Sequence, residues 1–302
     1  MKLEFEETSC CICGSCARTT WLTGLKDRWF AREETFTLVR CAGCGHIYQN
    51  PRPTAKSLHL CYPQDYEPYH GMRNPVVAFL KRLVLTKEVR ECLHRKRPPA
   101  TVLEIGCAHG EFLEALQGAG FQTRGVEFDP EAARRAQERG LDVLAGTLRE
   151  AALADGFADI AYMKQVIEHL PDVPETLTEI HRILKPGGWL LVATPNVDCP
   201  LVRRFGGDTF DLEIPRHLNL FSVATLRQQL ERCRFAVERV CHDPVPNSWI
   251  KSLRLRLERR PWARAFFRLE NPLALACLSP VSGILALAGR SSRIRVWARR
   301  TD

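Results

Sequence analysis

The sequence predicts an α/β protein whose core is a doubly wound, mostly parallel sheet, preceded by a small cysteine-rich module. Three observations predict it. From Thr101 onward, short apolar runs alternate with helical stretches, the pattern of a parallel sheet covered by helices on both faces. A glycine-bearing turn, Gly106 to Gly110, joins the first of these runs to the first helix. Two C-x-x-C pairs, Cys10 with Cys13 and Cys41 with Cys44, stand ahead of both.

The totals bound the answer. The 302 residues suffice for one large α/β domain and a small extra module. Hydrophobic residues are 45% and charged residues 26% of the chain, which excludes disorder as the general state. The formal charge of +8 suits RNA, an anionic membrane surface or an anionic substrate without choosing among them. The start, MKLEFEETSC, has neither a basic region nor an apolar run, so a cytoplasmic chain is expected and its 13 cysteines argue for metal rather than disulfides.

Each cysteine pair is followed by a glycine, Gly14 or Gly45. Two intervening residues let both thiolates reach one tetrahedral ion, and glycine tolerates the tight turn behind them. The expected ligands of a structural zinc ion are therefore Cys10, Cys13, Cys41 and Cys44, in a ribbon over residues 1–54. Cys13 and Cys16 are also spaced C-x-x-C, with Cys11 adjacent, but only the Cys10 pairing gives two matched C-x-x-C-G knuckles. Residues 55–98 read as linker and helix: 55–73, with Tyr62, Tyr66 and Tyr69, is an irregular linker or a segment folding over a site, and a helix follows over 75–93 with Val76, Phe79, Leu80, Leu83 and Val84 as its apolar set.

The main domain, 99–302, follows. Strands are expected at TVLEIG, QTRGVEF, LDVLAG, FADIAYM and GGWLLVATP, with helices between them. Ligands of such sheets bind at the carboxyl ends of the strands. There Glu104 stands before Gly106 and Gly110, and Glu127 ends the second strand. A carboxylate in the glycine turn suits a cationic cofactor, not a phosphate, and Glu127 suits a ribose diol. The two favour S-adenosylmethionine.

Here the chain resembles the class I methyltransferases, and more narrowly their bacterial branch with an N-terminal zinc ribbon. VLEIGCAHGEF, GVEFDPEA, FADIAYMKQVIEHL, RILKPGGWLLVATPN and CAGCGHIYQNPRP carry the resemblance. It implies a seven-stranded Rossmann-like sheet. It also implies that Glu104, Gly106 and Gly110 shape the methionine and sugar pocket, and that Glu127 binds the ribose beside Phe128 at the adenine. Thr147 and Leu148 would lie near the adenine, and Gln165 would face the methyl group. Ala108 departs from the glycine common in the family.

A hydroxyl acceptor benefits from a general base. His217, in PRHLNLFS, is preferred to His169, in EHL, because the segment 196–221 is where this fold builds acceptor contacts. Before the last strand lies a helical insertion, 243–290. Residues 249–270 set Trp249, Leu253, Leu257, Trp262 and Phe266 among arginines, as an interfacial helix would, and 271–289 carry no charge. Pro280 and the need to return to the sheet argue against a membrane span. A peripheral membrane contact through 249–289, or packing as a lid or dimer surface, remain as alternatives. The expected activity is O-methylation of a small molecule, sugar or lipid-linked glycan. An RNA methyltransferase ranks below it, since KQVI replaces an N-P-P-[YF] motif, and a non-catalytic ribbon scaffold ranks lower still.

Overall fold

The computed structural model of the chain describes residues 2–28, 33–62, 75–268 and 271–302. Tyr66 and Tyr69 lie outside the described residues, as do the side chains of Val76, Phe79 and Leu80.

The N-terminal region is two small sheets. β1 (Phe5–Glu6) pairs with β5 (Arg52–Pro53). β2 (Arg18–Lys26), β3 (Thr35–Cys41) and β4 (Ile47–Gln49) form an antiparallel meander, with Phe36 and Leu38 of β3 buried on one face and Val39 on the other. The fourth strand of that sheet is β11 (Asn219–Leu220), supplied from deep in the main domain and paired with β4. His46 stands at this seam, its ring 5.0 Å from that of Phe221 and its Nε2 3.3 Å from the Asn219 Oδ1. The apolar interior of the ribbon therefore runs without a break into that of the main domain: Ile12, Val39 and Tyr48 share a cluster with Leu226 and Val192.

The main sheet has seven strands in the order β12-β13-β10-β9-β6-β7-β8. These are β6 (Thr101–Ile105), β7 (Gln122–Glu127), β8 (Val143–Ala145), β9 (Ala158–Lys164), β10 (Leu184–Pro195), β12 (Phe235–Asp243) and β13 (Arg293–Arg300). All neighbours are parallel except β13, which runs antiparallel to β10 and β12. Strand order reverses between β6 and β9, so a crevice opens at their carboxyl ends. β9 is buried on both faces, which explains why its sequence, ADIAYMK, lacks the alternation of a half-exposed strand.

Helices cover both faces. α1 (Pro75–Arg95), α2 (Glu111–Gly118) and α3 (Pro130–Glu138) precede the crossover, and α4 (Val173–Ile183), α5 (Pro200–Phe205) and α6 (Val223–Arg232) follow it. α3 and α6 show why these segments start where they do. Asp129 accepts from the Ala132 N–H ahead of Pro130, and Ser222 with Thr225 forms a reciprocal cap. On α1, Leu83 and Val84 are exposed; among its described side chains Glu88, Val89 and Cys92 are buried, and Val89 and Cys92 share a cluster with Val102 and Trp297.

The insertion differs from the single basic helix expected over 249–270. It is α7 (Pro246–Arg256), α8 (Pro261–Phe266) and α9 (Pro272–Leu287). Pro261 starts a new helix, because proline fits a first turn but breaks an interior one. The face that α7 buries is Ser248, Ile250, Ser252 and Leu255, not the apolar set chosen by periodicity, because the two serine hydroxyls bond Asp211 and Phe210. Among the described residues no helix is long and apolar enough to cross a membrane.

Candidate functional site

The cofactor-side residues meet at the crevice. β6 delivers Glu104 at its carboxyl end, and the chain then turns through Gly106 at φ +71 and Gly110 at φ +76. Both positions require glycine for a second reason. A Cβ on Gly106 would stand 2.4 Å from the Val166 Cγ2, and one on Gly110 would stand 2.2 Å from the Leu141 Cδ1. Ala108 holds a left-handed φ of +46 without being glycine, and its N–H donates to the Glu127 Oε2 at 2.7 Å. The other Glu127 oxygen accepts from the Asp129 N–H at 2.9 Å. Burial pushes the Glu127 carboxyl up, and these N–H groups pull against it.

Glu104 is buried, and its Oε2 has no hydrogen-bond partner among the described residues. Burial is the main cause that holds its carboxyl well above the usual range; Lys164 opposes this, while Glu88 and Glu127 add to it. Lys164 is itself bound to Glu88 of α1 at 2.7 Å. A buried carboxylate with a free oxygen at a strand switch point is the acceptor half of a site for a cationic group.

The other expected residues fall as follows. Phe128 is 68% exposed directly after Glu127. Thr147 is exposed, and both its N–H and its hydroxyl donate to the Glu150 Oε2 at 2.8 Å. Leu148 is buried in the main core. Gln165, at φ +56, donates from its backbone N–H to the Ala193 carbonyl at 2.7 Å, which ties the loop after β9 to β10.

His169 and His217 come together, with ring centroids 4.6 Å apart in an edge-on contact. Donor atoms of Glu168, His169 and His217 all lie within 4.8 Å of one another. The His217 Nδ1 donates to the Asp211 carbonyl at 2.8 Å, so in the neutral ring Nε2 keeps its lone pair. That Nε2 lies 3.7 Å from the Glu213 Oε2. The His169 Nδ1 donates to the Arg216 carbonyl at 3.1 Å and lies 2.9 Å from the Tyr62 hydroxyl. Burial lowers both imidazoles, His169 to about 3, so both are neutral near pH 7. Burial also raises the adjacent Glu168 to about 8, although the Thr194 hydroxyl donates to its Oε2 at 2.9 Å.

Periodicity and motif spacing pointed to neither Tyr62 nor the groups that hold the histidines. Arg216, wholly buried, forms a two-pronged pair with Asp27 at 3.0 and 3.1 Å and also reaches Glu213 and the Cys61 carbonyl. Asp27 follows β2, so the ribbon braces the segment that carries His217. From the opposite side α7 does the same: the Ser248 hydroxyl donates to the Asp211 Oδ1, and the Phe210 N–H donates to the Ser252 hydroxyl, each at 2.9 Å. The one available signal was the PRHLN string, in which an arginine beside a candidate base invites a search for its counter-ion.

In the ribbon, the four chosen thiols converge. Cys10 and Cys44, and likewise Cys13 and Cys41, lie with sulfurs 3.4 Å apart, and all four fall within 4.8 Å. Gly14 and Gly45 adopt φ +73 and +76, and their N–H groups donate to the carbonyls of Cys10 and Cys41. Cys16 is exposed, and the Cys11 sulfur is turned toward Asn219 and His46, so neither joins the cluster. Four convergent sulfurs of this kind could hold one tetrahedral ion.

Fold and crevice together define an α/β protein of the nucleoside-cofactor-binding kind. Residues 77–240 match the methyltransferase-domain family, and the chain belongs to it. A protein of Mycolicibacterium smegmatis described as a "probable S-adenosylmethionine-dependent methyltransferase" is 34% identical over 139 residues, 45% of this chain and 52% of its own. A ubiquinone biosynthesis O-methyltransferase of Caulobacter vibrioides is 32% identical over 139 residues, 43% of this chain and 55% of its own. The C-methyltransferase NovU of Streptomyces niveus is 30% identical over 130 residues, 41% of this chain and 30% of its own. The chain thus spans about half the length, or less, of these relatives. The YcgJ protein of Bacillus subtilis shares the fold, with a TM-score of 0.50 at 20% identity over 72% of this chain and 98% of that one.

Proposed function

We propose that the protein is an S-adenosylmethionine-dependent methyltransferase that methylates an oxygen of a small molecule, sugar or lipid-linked glycan, and that its ribbon holds one structural zinc ion. The observation that carries the reading is the unpartnered, buried Glu104 oxygen beside the Gly106–Gly110 turn and Glu127. These residues fit the cofactor. Glu104 would face its cationic end, Glu127 its ribose diol, and the exposed Phe128 its adenine, with Leu148 behind. When bound, the cofactor supplies a methyl group already activated by the sulfonium centre.

The chain's own residues then have to orient an acceptor and take its proton. His217 suits that task. Its Nδ1 is fixed by the Asp211 carbonyl, its Nε2 is the free base, and Glu213 lies where it stabilises the imidazolium that proton uptake creates. His169, edge-on to it and held by Tyr62 and Arg216, orients the ring. Relatives that methylate either oxygen or carbon leave the acceptor atom to be tested; oxygen is preferred because a neutral histidine matches the need of a hydroxyl.

Calorimetry with S-adenosylmethionine should show binding that Glu127→Ala weakens strongly, and absence of binding by the wild type would refute the reading. With methyl-labelled cofactor and hydroxyl-bearing acceptors, His217→Gln should lower transfer by roughly 10²–10⁴-fold while leaving cofactor affinity in place.

A further inference from the structure

The insertion presents a surface that neither cofactor nor acceptor chemistry uses. Along α9, Leu273, Cys277, Val281, Ile284 and Leu287 recur every three or four residues and are all exposed, Leu273 at 65%, Ile284 at 66% and Leu287 at 92%. They form one stripe about 21 Å long on the outer face of a sixteen-residue helix. The opposite face, with Ala274 and Ser282, packs toward α7. Trp262, 56% exposed on α8, stands against Phe267 just ahead of the stripe.

Charge is arranged around this stripe, not on it. No Asp, Glu, Lys or Arg occurs from Asn271 to Gly289. Arg259, Arg260, Arg264 and Arg268 precede it, all exposed, with Glu258 and Glu270 at either end of that run in the sequence, and Arg290 follows it. Among the described residues none of these five forms an ion pair with a carboxylate. An apolar stripe with a tryptophan at one end and a net excess of exposed arginines around it is complementary to an anionic bilayer surface: side chains enter the acyl boundary while arginines meet phosphates. A second copy of this chain is the poorer fit, because a two-fold contact through α9 would bring arginine clusters close to one another.

We infer that α8 and α9 dock this protein on the surface of an anionic phospholipid membrane, lying in the interface without crossing it. The docking is independent of methyl transfer, but it is not remote from the site. α9 packs on α7, and α7 holds the segment that seats Asp211 and His217. A docked insertion would therefore present the histidine pair to acceptors that reside at the membrane.

The test is flotation of the full chain with vesicles of phosphatidylcholine alone and of phosphatidylcholine with phosphatidylglycerol. The anionic vesicles should carry the protein and the neutral ones should not, and added salt should release it. Arg264→Gln with Arg268→Gln should lower the partition roughly 30-fold. Ile284→Ser with Leu287→Ser, both on exposed positions, should lower it at least about tenfold. Cofactor binding by calorimetry should be unchanged in both variants. Three results would overturn the inference: no flotation, equal flotation with neutral vesicles, or a dimer in solution that Ile284→Ser with Leu287→Ser dissociates while vesicles go unbound.

Discussion

Removal of the Asp27 carboxylate should loosen the ribbon from the segment that carries Arg216 and His217, at a cost of about 3 kcal/mol. Asp27 and Arg216 have no solvent exposure in their side chains and meet through two hydrogen bonds, at 3.0 and 3.1 Å. Breaking a buried pair by deleting one partner typically costs about 3–5 kcal/mol, because the surviving charge stays in a medium that cannot solvate it. In Asp27→Ala the guanidinium retains Glu213 at 3.2 Å and the Cys61 carbonyl at 3.1 Å, which places the cost at the low end. Replacing both partners, as in Asp27→Leu with Arg216→Met, removes the stranded charge and should recover much of the loss. Denaturation by guanidinium, followed by tryptophan fluorescence on the wild type, both single variants and the double, gives the coupling energy directly. Cofactor affinity should change less than about twofold, since Glu104 and Glu127 lie on other strands. The reasoning is refuted if Asp27→Ala stays within about 0.5 kcal/mol of the wild type, or if the double variant loses the sum of the two singles.

Other consequences follow from single residues. Gly110→Ala combines a left-handed φ with a Cβ 2.2 Å from Leu141, and should destabilise by about 2–4 kcal/mol and weaken cofactor binding; a variant that folds and binds normally would show that the turn relaxes. Glu168 has its carboxyl raised to about 8 in the folded chain against an ordinary 4.5, so the folded state holds that proton more tightly. Its contribution is complete below about 4.5 and lost as pH rises through 8. Glu168→Gln should therefore flatten the fall in stability between pH 6 and 9, measured by denaturation at several pH values; parallel curves for both proteins would count against it. Mass spectrometry under native conditions should find one zinc ion per chain, lost in Cys13→Ser, together with a lower melting temperature. Full zinc occupancy in that variant would remove Cys13 from the ligand set.

Much of the main sheet is legible because strands such as β6, β9 and β10 carry a local signal, a short apolar run set beside the glycines Gly106, Gly110 and Gly187. The knuckles were legible because both ligands of each pair sit within four residues. What escaped notice is long-range. Nothing local marks Asp27 as the partner of Arg216, or Tyr62 as the neighbour of His169. The insertion is hard to read for a different reason. Its helix α7 buries serines that bond the acceptor segment, so an apolar period selects the wrong face. The same weakness applies to Leu83 and Val84, apolar by pattern yet exposed on α1.

The strand that completes the ribbon sheet comes from far downstream, 173 residues separating His46 from Asn219. During synthesis the two knuckles emerge well before β11, so the edge of β4 must wait for the chain up to residue 220. Until β11 arrives, that edge offers open backbone groups to any passing strand. Its closure also seats His217, two residues before Asn219. His217 thus follows both the cysteine knuckles and the Gly106–Gly110 turn in the order of synthesis, so a chain that stops short of β11 would hold those elements without the histidine.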